Sequence, residues 1–307
     1  MHTYLAENET KAADVRIEND FNLAYPVGKS DEIVAYLKAK YVDDSHFVES
    51  LGPKYKGALG DEDFTDTYFD TKQLQLYKRL AGLRHRRRLN RLDASNRKNG
   101  RELIQLKLSG SDKLLGQDDG RARNEIKFKV LPPHRLKTVA DVNPLLHMMS
   151  AKNQETLRAA LEKIDVDPMA LKPILTLKQH RRRVYINNDK GTFVSFSMDD
   201  VEANLWTRHI VYSQLEGELN ELEYTEADPA ERARMSGLRQ GMIRDLRAQF
   251  PYLQDDQSIK YTKAFDRLAQ KIPGLKLWVR LDLLQNKAPE SLVPKHQKKS
   301  ESNDGEN

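Results

Sequence analysis

Cysteine is missing from this 307-residue sequence. Disulfide bonds, a thiolate nucleophile and a cysteine-ligated zinc site are therefore excluded. A reducing compartment suits such a chain, and we predict that the protein is cytoplasmic. The length is sufficient for a well-buried core, in one large domain or in two small ones.

Long apolar runs are missing as well. No stretch approaches the roughly 20 consecutive apolar residues that cross a bilayer, and residues 1–14 are polar and acidic, without the apolar centre of a secretory signal. Aromatic residues make up only 7% of the chain, and no motif of an RNA-binding module is present, so platforms for base stacking are not evident. We expect neither a membrane nor a nucleic acid as a partner.

Charge is abundant, at 32% of residues, although the net charge is only +5. Basic residues cluster in two runs, at 84–88 and at 180–183. Such runs could bind phosphate, polyphosphate or nucleic acid, or they could be solvated surfaces without a ligand. The sequence shows no Ser/His/Asp triad and no Walker-type loop.

Charged and apolar residues alternate in several segments of strand-like composition. In the clearest, residues 121–130, successive side chains would point to opposite faces of a strand. Glu125 and Lys127 belong to the charged set, and Ile126 and Phe128 belong to the apolar set. Several such strands, basic in the middle of the chain and acidic near its ends, predict a polar-lined cavity for an anion and a metal ion.

The order of predicted elements indicates an α+β fold. About eight strands in antiparallel hairpins, with helices inserted between them, point to a large antiparallel sheet or barrel. Strands are predicted at 15–23, 64–70, 83–92, 101–109, 121–130, 173–187, 192–203, 208–215 and 215–224. Helices are predicted from residue 30, within 136–165, and at 229–250 and 258–272. Residues 1–14 are predicted to be a flexible lead and residues 285–307 a disordered polar tail.

Two adjoining segments resemble the signature of a known family. Residues 68–71 read Tyr-Phe-Asp-Thr and residues 82–87 read Gly-Leu-Arg-His-Arg-Arg. Together they are similar to the corresponding stretch of the CYTH superfamily, the triphosphate tunnel metalloenzymes. Further marks of the family follow in the expected order, and the resemblance covers about residues 15–270. These marks are Leu106-Lys107, Arg123-Asn124-Glu125, Lys178 with Arg181, Ser197-Met198-Asp199, Glu216-Gly217-Glu218 and Ser258-Ile259-Lys260-Tyr261.

The resemblance implies an eight-stranded antiparallel β-barrel, a tunnel domain at residues 15–284 with helices packed outside. Basic side chains would line the tunnel and hold a triphosphate or polyphosphate anion, and acidic side chains would hold Mg²⁺ or Mn²⁺. The family includes inorganic triphosphatases, thiamine triphosphatases, some adenylate cyclases and RNA triphosphatases. Related VTC-type domains polymerise polyphosphate.

The expected site residues are those at the positions that match the family's motifs. Carboxylates suit Mg²⁺, which prefers oxygen ligands, and Arg and Lys suit phosphate oxygens. The expected metal ligands are Glu18, Asp20, Glu125, Glu216 and Glu218, of which Glu18, Glu216 and Glu218 are also expected to be catalytic. The expected substrate ligands are Arg84, Arg86, Lys107, Arg123, Lys178, Arg181 and Lys260.

Two strands depart from the family pattern, at Asp20 and Asn22 in the first and at Lys127 in the second. The N-terminal strand of the family reads E-x-E-x-K, whereas this chain reads Glu18-Asn19-Asp20-Phe21-Asn22. Both carboxylates are kept, but Asn22 replaces the lysine and removes a cation, which bears on the catalytic rate. Lys127 also stands where many members carry a second acidic residue.

Some assignments stay open at the level of sequence. Glu221 and Glu223 form a second E-x-E pair, although the apolar neighbours of Glu216 and Glu218 favour the earlier pair. The strand phase does not decide between Arg181 and its arginine neighbours. Lys260 could equally be a surface residue of a helix.

The predicted function is metal-dependent hydrolysis of a triphosphate-bearing substrate, either inorganic tripolyphosphate or an organic or nucleoside triphosphate. One alternative is a module that binds polyphosphate or nucleotide with weak catalysis, which Asn22 motivates. A second alternative is a VTC-like polyphosphate polymerase that uses ATP as its donor.

Overall fold

The secondary structure is taken from a computed structural model, in which the described residues are 14–18, 20–44, 46–51, 54–89, 102–109, 123–131, 144–205, 207–256 and 258–281. Their strands are β1 (Asp14–Glu18), β2 (Asp20–Tyr25), β3 (Lys56–Asp70), β4 (Gly82–Arg88), β5 (Glu102–Ser109), β6 (Arg123–Lys129), β7 (Lys172–Asn188), β8 (Gly191–Leu205), β9 (Arg208–Leu219) and β10 (Gln254–Asp255). The helices are α1 (Ser30–Lys38), α2 (His46–Leu51), α3 (Gln75–Lys78), α4 (Pro144–His147), α5 (Ala151–Glu162), α6 (Glu221–Glu226), α7 (Pro229–Gln249), α8 (Lys260–Lys271) and α9 (Leu275–Arg280). Residues 1–13 of the predicted lead and all of the predicted tail lie outside the described residues.

One antiparallel sheet holds the strands in the order β1-β6-β5-β4-β3-β7-β8-β9-β2-β10. The predicted mixture of helices with one antiparallel sheet is confirmed, but the described residues contain ten strands rather than about eight. The predicted first strand consists of β1 and β2, the two-residue β10 adds to the edge of β2, and the segments predicted at 208–215 and 215–224 contribute the single strand β9.

The N-terminal segment, β1 and β2, pairs with strands near both ends of this strand order. β1 pairs with β6, β2 pairs with β9, and a single residue separates β1 from β2 in the chain. The sheet must therefore curl until β6 and β9 approach the same short segment. The hydrogen-bonded order of the described strands is open, running from β1 to β10.

Alternation along the strands divides their side chains between two faces. We call the face that carries Arg84, Arg181 and Glu216 the inner face. Register places Arg181 opposite Asp199 on β8, and Asp199 opposite Gln214 on β9, so polar residues of neighbouring strands meet on this face.

Helices cover two apolar parts of the outer face. Leu37 of α1 and Leu246 of α7 share one buried cluster with Phe196 of β8. Leu157 of α5 shares another with Leu83 of β4, among other residues. Burial of this kind contributes about 25 cal/mol per Å² of apolar surface, and it leaves the inner face available for polar groups.

Helix α8 packs against the apolar end of the inner face. Phe265 and Leu268 of α8 share a buried cluster with Leu177, Val201 and Tyr212. This packing brings Lys260, the first residue of α8, next to the polar part of the inner face. No helix among the described residues is both long and apolar enough to cross a membrane.

Two element boundaries differ from the predictions. β3 begins at Lys56 rather than at residue 64, because residues 56–63 complete a long ladder with β7 although their composition is poor in strand formers. The strand predicted for 215–224 is wrong beyond Leu219, where α6 follows. Asn220 causes this change, since its side chain accepts a hydrogen bond of 3.1 Å from the Glu223 backbone N–H and so caps the new helix.

Candidate active site

A cavity of about 100 Å³ lies on the inner face of the sheet. Its lining combines six cationic side chains with three carboxylates and is completed by polar and apolar neighbours. The cations are Arg84, Arg86, Lys107, Arg181, Arg183 and Lys260, and the carboxylates are Glu125, Glu216 and Glu218. The excess of positive charge suits a polyanionic ligand.

β4 supplies Arg84 and Arg86, which are two residues apart and therefore share a face. Both side chains are buried and both bind the carboxylate of Asp66 on β3. Burial opposes the ionised state of Asp66, but the attraction of the two guanidinium groups outweighs it and holds the pKa of Asp66 below its usual range. This part of the lining is therefore fully ionised at neutral pH.

A second charged cluster centres on Asp199 of β8. Arg181 donates to both of its carboxylate oxygens, and Lys260 of α8 also donates to it. Arg181 Nη2 and Lys260 Nζ in turn lie 3.1 and 3.7 Å from Glu216 Oε2. Helix α8 thus contributes a cation directly to the carboxylate side of the cavity, which excludes the surface position that the sequence had left open for Lys260.

Glu216 and Glu218 share the inner face of β9, but their environments differ. Burial opposes ionisation of Glu216, yet Lys260, Lys107 and Arg181 lower the pKa of this carboxyl well below its usual value. Burial and the neighbouring negative charge of Glu216 raise the pKa of Glu218. Glu218 forms no hydrogen bond or ion pair with another described side chain. A bound cation would therefore stabilise its ionised form more than that of Glu216, which already has cationic neighbours.

Glu125 of β6 is the third carboxylate of the cavity lining. Its buried carboxylate lies 3.6 Å from Lys107 Nζ and contacts Lys127 Nζ. Burial acts against ionisation, but the two lysines lower the pKa of Glu125 to about 2. Lys127, which departs from the family pattern, thus neutralises a carboxylate of the site.

The N-terminal strand places Asn22 in the cavity lining and Asp20 close behind it. Asn22 pairs in register with Glu216, and Asp20 pairs with Glu218. The Asn22 amide donates a hydrogen bond of 3.0 Å to Asp20 Oδ2. At the position where the family pattern has a lysine, the neutral amide of Asn22 therefore binds the carboxylate of Asp20. The side chain of Glu18 lies outside the described residues.

The structure does not bring every predicted residue to the cavity. Lys178 points to the outer face, where its side chain is 68% exposed and its Nζ lies 3.8 Å from Glu202 Oε1. The strand phase explains this position, because Lys178 and the inward-facing Arg181 are an odd number of residues apart. The backbone of Arg123 belongs to β6, but its side chain lies outside the described residues.

Sequence reasoning missed two residues of the site. Arg183 lines the cavity two positions after Arg181, and the period of two would have identified it once the phase of β7 was known. Asp66 stands before the Tyr-Phe-Asp-Thr stretch and faces inward between Phe64 and Tyr68. The period of two along residues 64–70 places Asp66 on the same face as Phe64 and Tyr68. The aromatic composition of this segment drew attention to its apolar residues instead.

The residues of the cavity are compatible with a divalent cation. Among the described residues, no three His, Asp or Glu side chains form a group that could hold a metal ion by themselves. Glu216 and Glu218 offer two carboxylates on one face, and Glu218 lacks a partner among the described side chains. Mg²⁺ is commonly held by one or two carboxylates together with substrate phosphates and water, which is the donor set that this cavity could provide.

Comparison with known proteins gives one family match. The CYTH domain model matches residues 37–237, which is 201 of the 307 residues. No curated protein matches the chain.

Three solved structures illustrate the likeness of the fold. A candidate adenylate cyclase from Bacillus halodurans is 15% identical over 82% of this chain and 98% of that chain, with a TM-score of 0.46. A candidate adenylyl cyclase from Hippeastrum, described as having a dominant triphosphatase activity, is 14% identical over 83% and 98% of the respective chains, with a TM-score of 0.45. The Pct1 RNA triphosphatase of S. pombe is 11% identical over 80% and 88%, with a TM-score of 0.37.

Proposed function

This chain belongs to the CYTH domain family, and we propose on that premise that it hydrolyses a triphosphate in a metal-dependent reaction. The observation that carries the proposal is the cavity, where six cations face three carboxylates on one continuous inner surface. Phosphoryl transfer depends on neutralising the phosphate charge and on holding the reacting oxygens in line. We call the six cations the basic wall and Glu216 with Glu218 the acidic wall; the two are in contact, since Arg181 and Lys260 lie 3.1 and 3.7 Å from Glu216. Together they could meet these two needs.

The basic wall would bind the phosphate chain. Arg86 and Arg181 lie on strands that flank β3, and Arg183 continues the row along β7. Guanidinium groups bind phosphate oxygens through paired N–H donors, whereas Lys107 and Lys260 would act as point charges. The fixed positions of these side chains on strands would orient the phosphates without reorganisation during the reaction.

The acidic wall would hold the cation and the attacking water. A bound Mg²⁺ or Mn²⁺ would neutralise phosphate charge and raise the electrophilicity of the phosphorus. Glu216 and Glu218 are the side chains that would bind it, with Asp20 close to Glu218 in register. The Glu218 carboxylate, which no described side chain pairs, would also orient the attacking water.

We favour inorganic tripolyphosphate over a nucleotide as the substrate. Two aromatic rings on the inner face are already covered. Tyr68 stacks on Tyr261 with ring centroids 5.2 Å apart, and Phe64 is fully buried beneath the Arg86 guanidinium at 3.8 Å. Neither Tyr68 nor Phe64 therefore offers a face on which a base could stack, and the half-buried Tyr185 hydroxyl accepts a hydrogen bond of 3.2 Å from Arg183.

The test is release of phosphate by the purified protein from tripolyphosphate, ATP and thiamine triphosphate, each with Mg²⁺, Mn²⁺ or a chelator. We expect turnover that requires the metal and is fastest with tripolyphosphate. Faster turnover of ATP would overturn the choice of substrate, and turnover that persists in chelator would overturn the metal dependence. A variant with Glu216→Gln and Glu218→Gln controls for a contaminating phosphatase.

Asn22 supports a second candidate, a module that binds triphosphate with little turnover. Its neutral amide stands opposite Glu216 in register, where the family pattern has a cation. Under this candidate, tripolyphosphate would bind to the wild-type protein without release of phosphate, and Asn22→Lys would gain turnover. Turnover by the wild-type protein would exclude it.

A further inference from the structure

Asp66 is a buried carboxylate that joins the two arginines of β4 but does not itself line the cavity. Its side chain is 0% exposed. Four donors surround it: Arg86 Nε at 2.7 Å, Arg86 Nη2 at 2.8 Å, Arg84 Nη1 at 3.0 Å and Gln179 Nε2 at 2.7 Å. Oδ2 accepts three of these hydrogen bonds and Oδ1 accepts one, so both oxygens are engaged by Arg84, Arg86 or Gln179.

Asp66 fixes the orientation of Arg86 from one edge. The Nε and Nη2 atoms of Arg86 form a fork on the carboxylate, which directs Nη1 and the remaining N–H groups away from β3. The ring of Phe64 lies 3.8 Å below the guanidinium and blocks movement on that side. A guanidinium has five N–H donors, so three stay available to an anion in the cavity.

Three side chains accept hydrogen bonds from Arg84. Its Nε donates to Gln105 Oε1 at 2.7 Å, and its Nη1 donates to Asp66 and, at 3.4 Å, to the Tyr68 hydroxyl. The same carboxylate therefore sets the angle of both guanidinium groups. It also separates two positive charges that share one strand face and would otherwise repel each other in a buried environment.

An amide in place of Asp66 could not do the same. Asn has one acceptor oxygen, and its NH₂ group would face the N–H donors of Arg84, Arg86 or Gln179. The substitution also removes the negative charge that offsets the two arginines. The shape of the site would be kept, whereas the orientation of the guanidinium groups would be lost.

We propose that Asp66 is a positioning residue for phosphate binding, which acts through Arg86 and Arg84 and never touches the substrate. This inference rests on the proposed function, because it needs an anion in the cavity. Residues that orient a ligating side chain typically change affinity or activity by about 10- to 100-fold when replaced. We therefore expect Asp66→Asn to raise the Kd for tripolyphosphate by about 10- to 100-fold.

The experiment measures the Kd and KM for tripolyphosphate together with the melting temperature, for the full-length protein and its variants. The matched control is Asp70→Asn on the same strand, because Asp70 is equally buried but binds the backbone N–H groups of Leu76 and Tyr77 at 2.9 Å and the Tyr261 hydroxyl at 3.0 Å, none of which lines the cavity. Asp70→Asn is expected to lower the melting temperature while Kd and KM stay within about twofold. A merely structural role of Asp66 would give the same pattern as this control.

A double-mutant cycle shows whether Asp66 acts through Arg86. In an Arg86→Lys background the fork is already missing and only the contact with Arg84 remains, so Asp66→Asn should raise the Kd by a smaller factor than it does in the wild-type background. An undiminished effect in that background would overturn the proposed route. If Asp66→Asn does not fold, Asp66→Glu keeps the charge and displaces the carboxylate, and it should weaken binding at least about threefold.

The outcomes separate this inference from the proposed function. Wild-type protein that neither binds nor hydrolyses tripolyphosphate would overturn both. Normal binding by the wild type, combined with an unchanged Kd in a folded Asp66 variant, would overturn only the positioning role. Weaker binding in Asp66→Asn, with Asp70→Asn unaffected, would support it.

Discussion

The Arg181 guanidinium binds the Asp199 carboxylate through two parallel hydrogen bonds, Nε to Oδ1 at 2.5 Å and Nη2 to Oδ2 at 2.7 Å. The two residues face each other in register on β7 and β8. Lys260 of α8 reaches the same carboxylate. A single buried anion therefore ties the cavity wall to the helix that packs against it.

Asp199→Asn should destabilise the protein at neutral pH by about 3–5 kcal/mol, because it removes the carboxylate that binds both Arg181 and Lys260 and leaves Glu216 as the one carboxylate that these two buried cations share. Burial opposes the ionisation of Asp199, but Arg181 and Lys260 hold its pKa below the usual value. Stability from such a group is complete above the pKa of the unfolded state and is lost as the pH falls through the folded pKa. Urea unfolding at several pH values should therefore show the difference from wild type narrowing by up to about 1.4 kcal/mol per pH unit below about pH 4. A constant difference down to pH 3 would contradict this prediction.

Replacing both Glu216 and Glu218 by Gln should lower turnover of tripolyphosphate by at least about 100-fold, because the cation and the water lose their carboxylates. The measurement is steady-state phosphate release with saturating Mg²⁺. Glu223→Gln is the matched control, since Glu223 lies in α6 and pairs with Asn188 outside the cavity. Equal activity in the double variant and the control would remove the acidic wall from the mechanism.

Arg183→Ala should raise the KM for tripolyphosphate by about tenfold, the loss expected for one hydrogen bond to a charged group. Lys178→Ala should leave KM within about twofold, because its side chain lies on the exposed outer face. Each variant removes one positive charge from β7, but only Arg183 faces the cavity. Comparing the two KM values therefore distinguishes loss of direct contact with the substrate from loss of net charge. Equal effects in the two variants would indicate long-range attraction rather than contact.

Gly217→Ala should destabilise the protein by about 1–3 kcal/mol, as overpacking of a filled space does. A Cβ at this position would lie 2.1 Å from Cε1 and 2.2 Å from Cζ of the Phe21 ring, which pairs with Gly217 across β2 and β9. Glycine between Glu216 and Glu218 thus lets the aromatic ring cover the outer face behind the acidic wall. Thermal unfolding measures the effect, and Phe21→Leu together with Gly217→Ala should recover part of the stability.

Much of the fold was predictable because most strands carry their own pattern. β4, β5 and β6 follow the predicted segments to within a few residues, since the buried Leu83, Leu106 and Ile126 alternate with polar or charged residues. The start of β3 was not predictable in this way. Seven of its first eight residues are polar or small, and their strand conformation depends on the ladder with β7.

The sequence by itself determined the chemistry of this protein: the absence of thiols, the alternating basic and acidic strands, and the family motifs that match them. Local rules of period two suffice for these features, because they depend on neighbours in the chain. Tertiary structure decided which cation lies against which carboxylate. Only the curled sheet and α8 bring Lys260 to Asp199 and Asp66 between Arg84 and Arg86, because such contacts join residues far apart in sequence and depend on strand register.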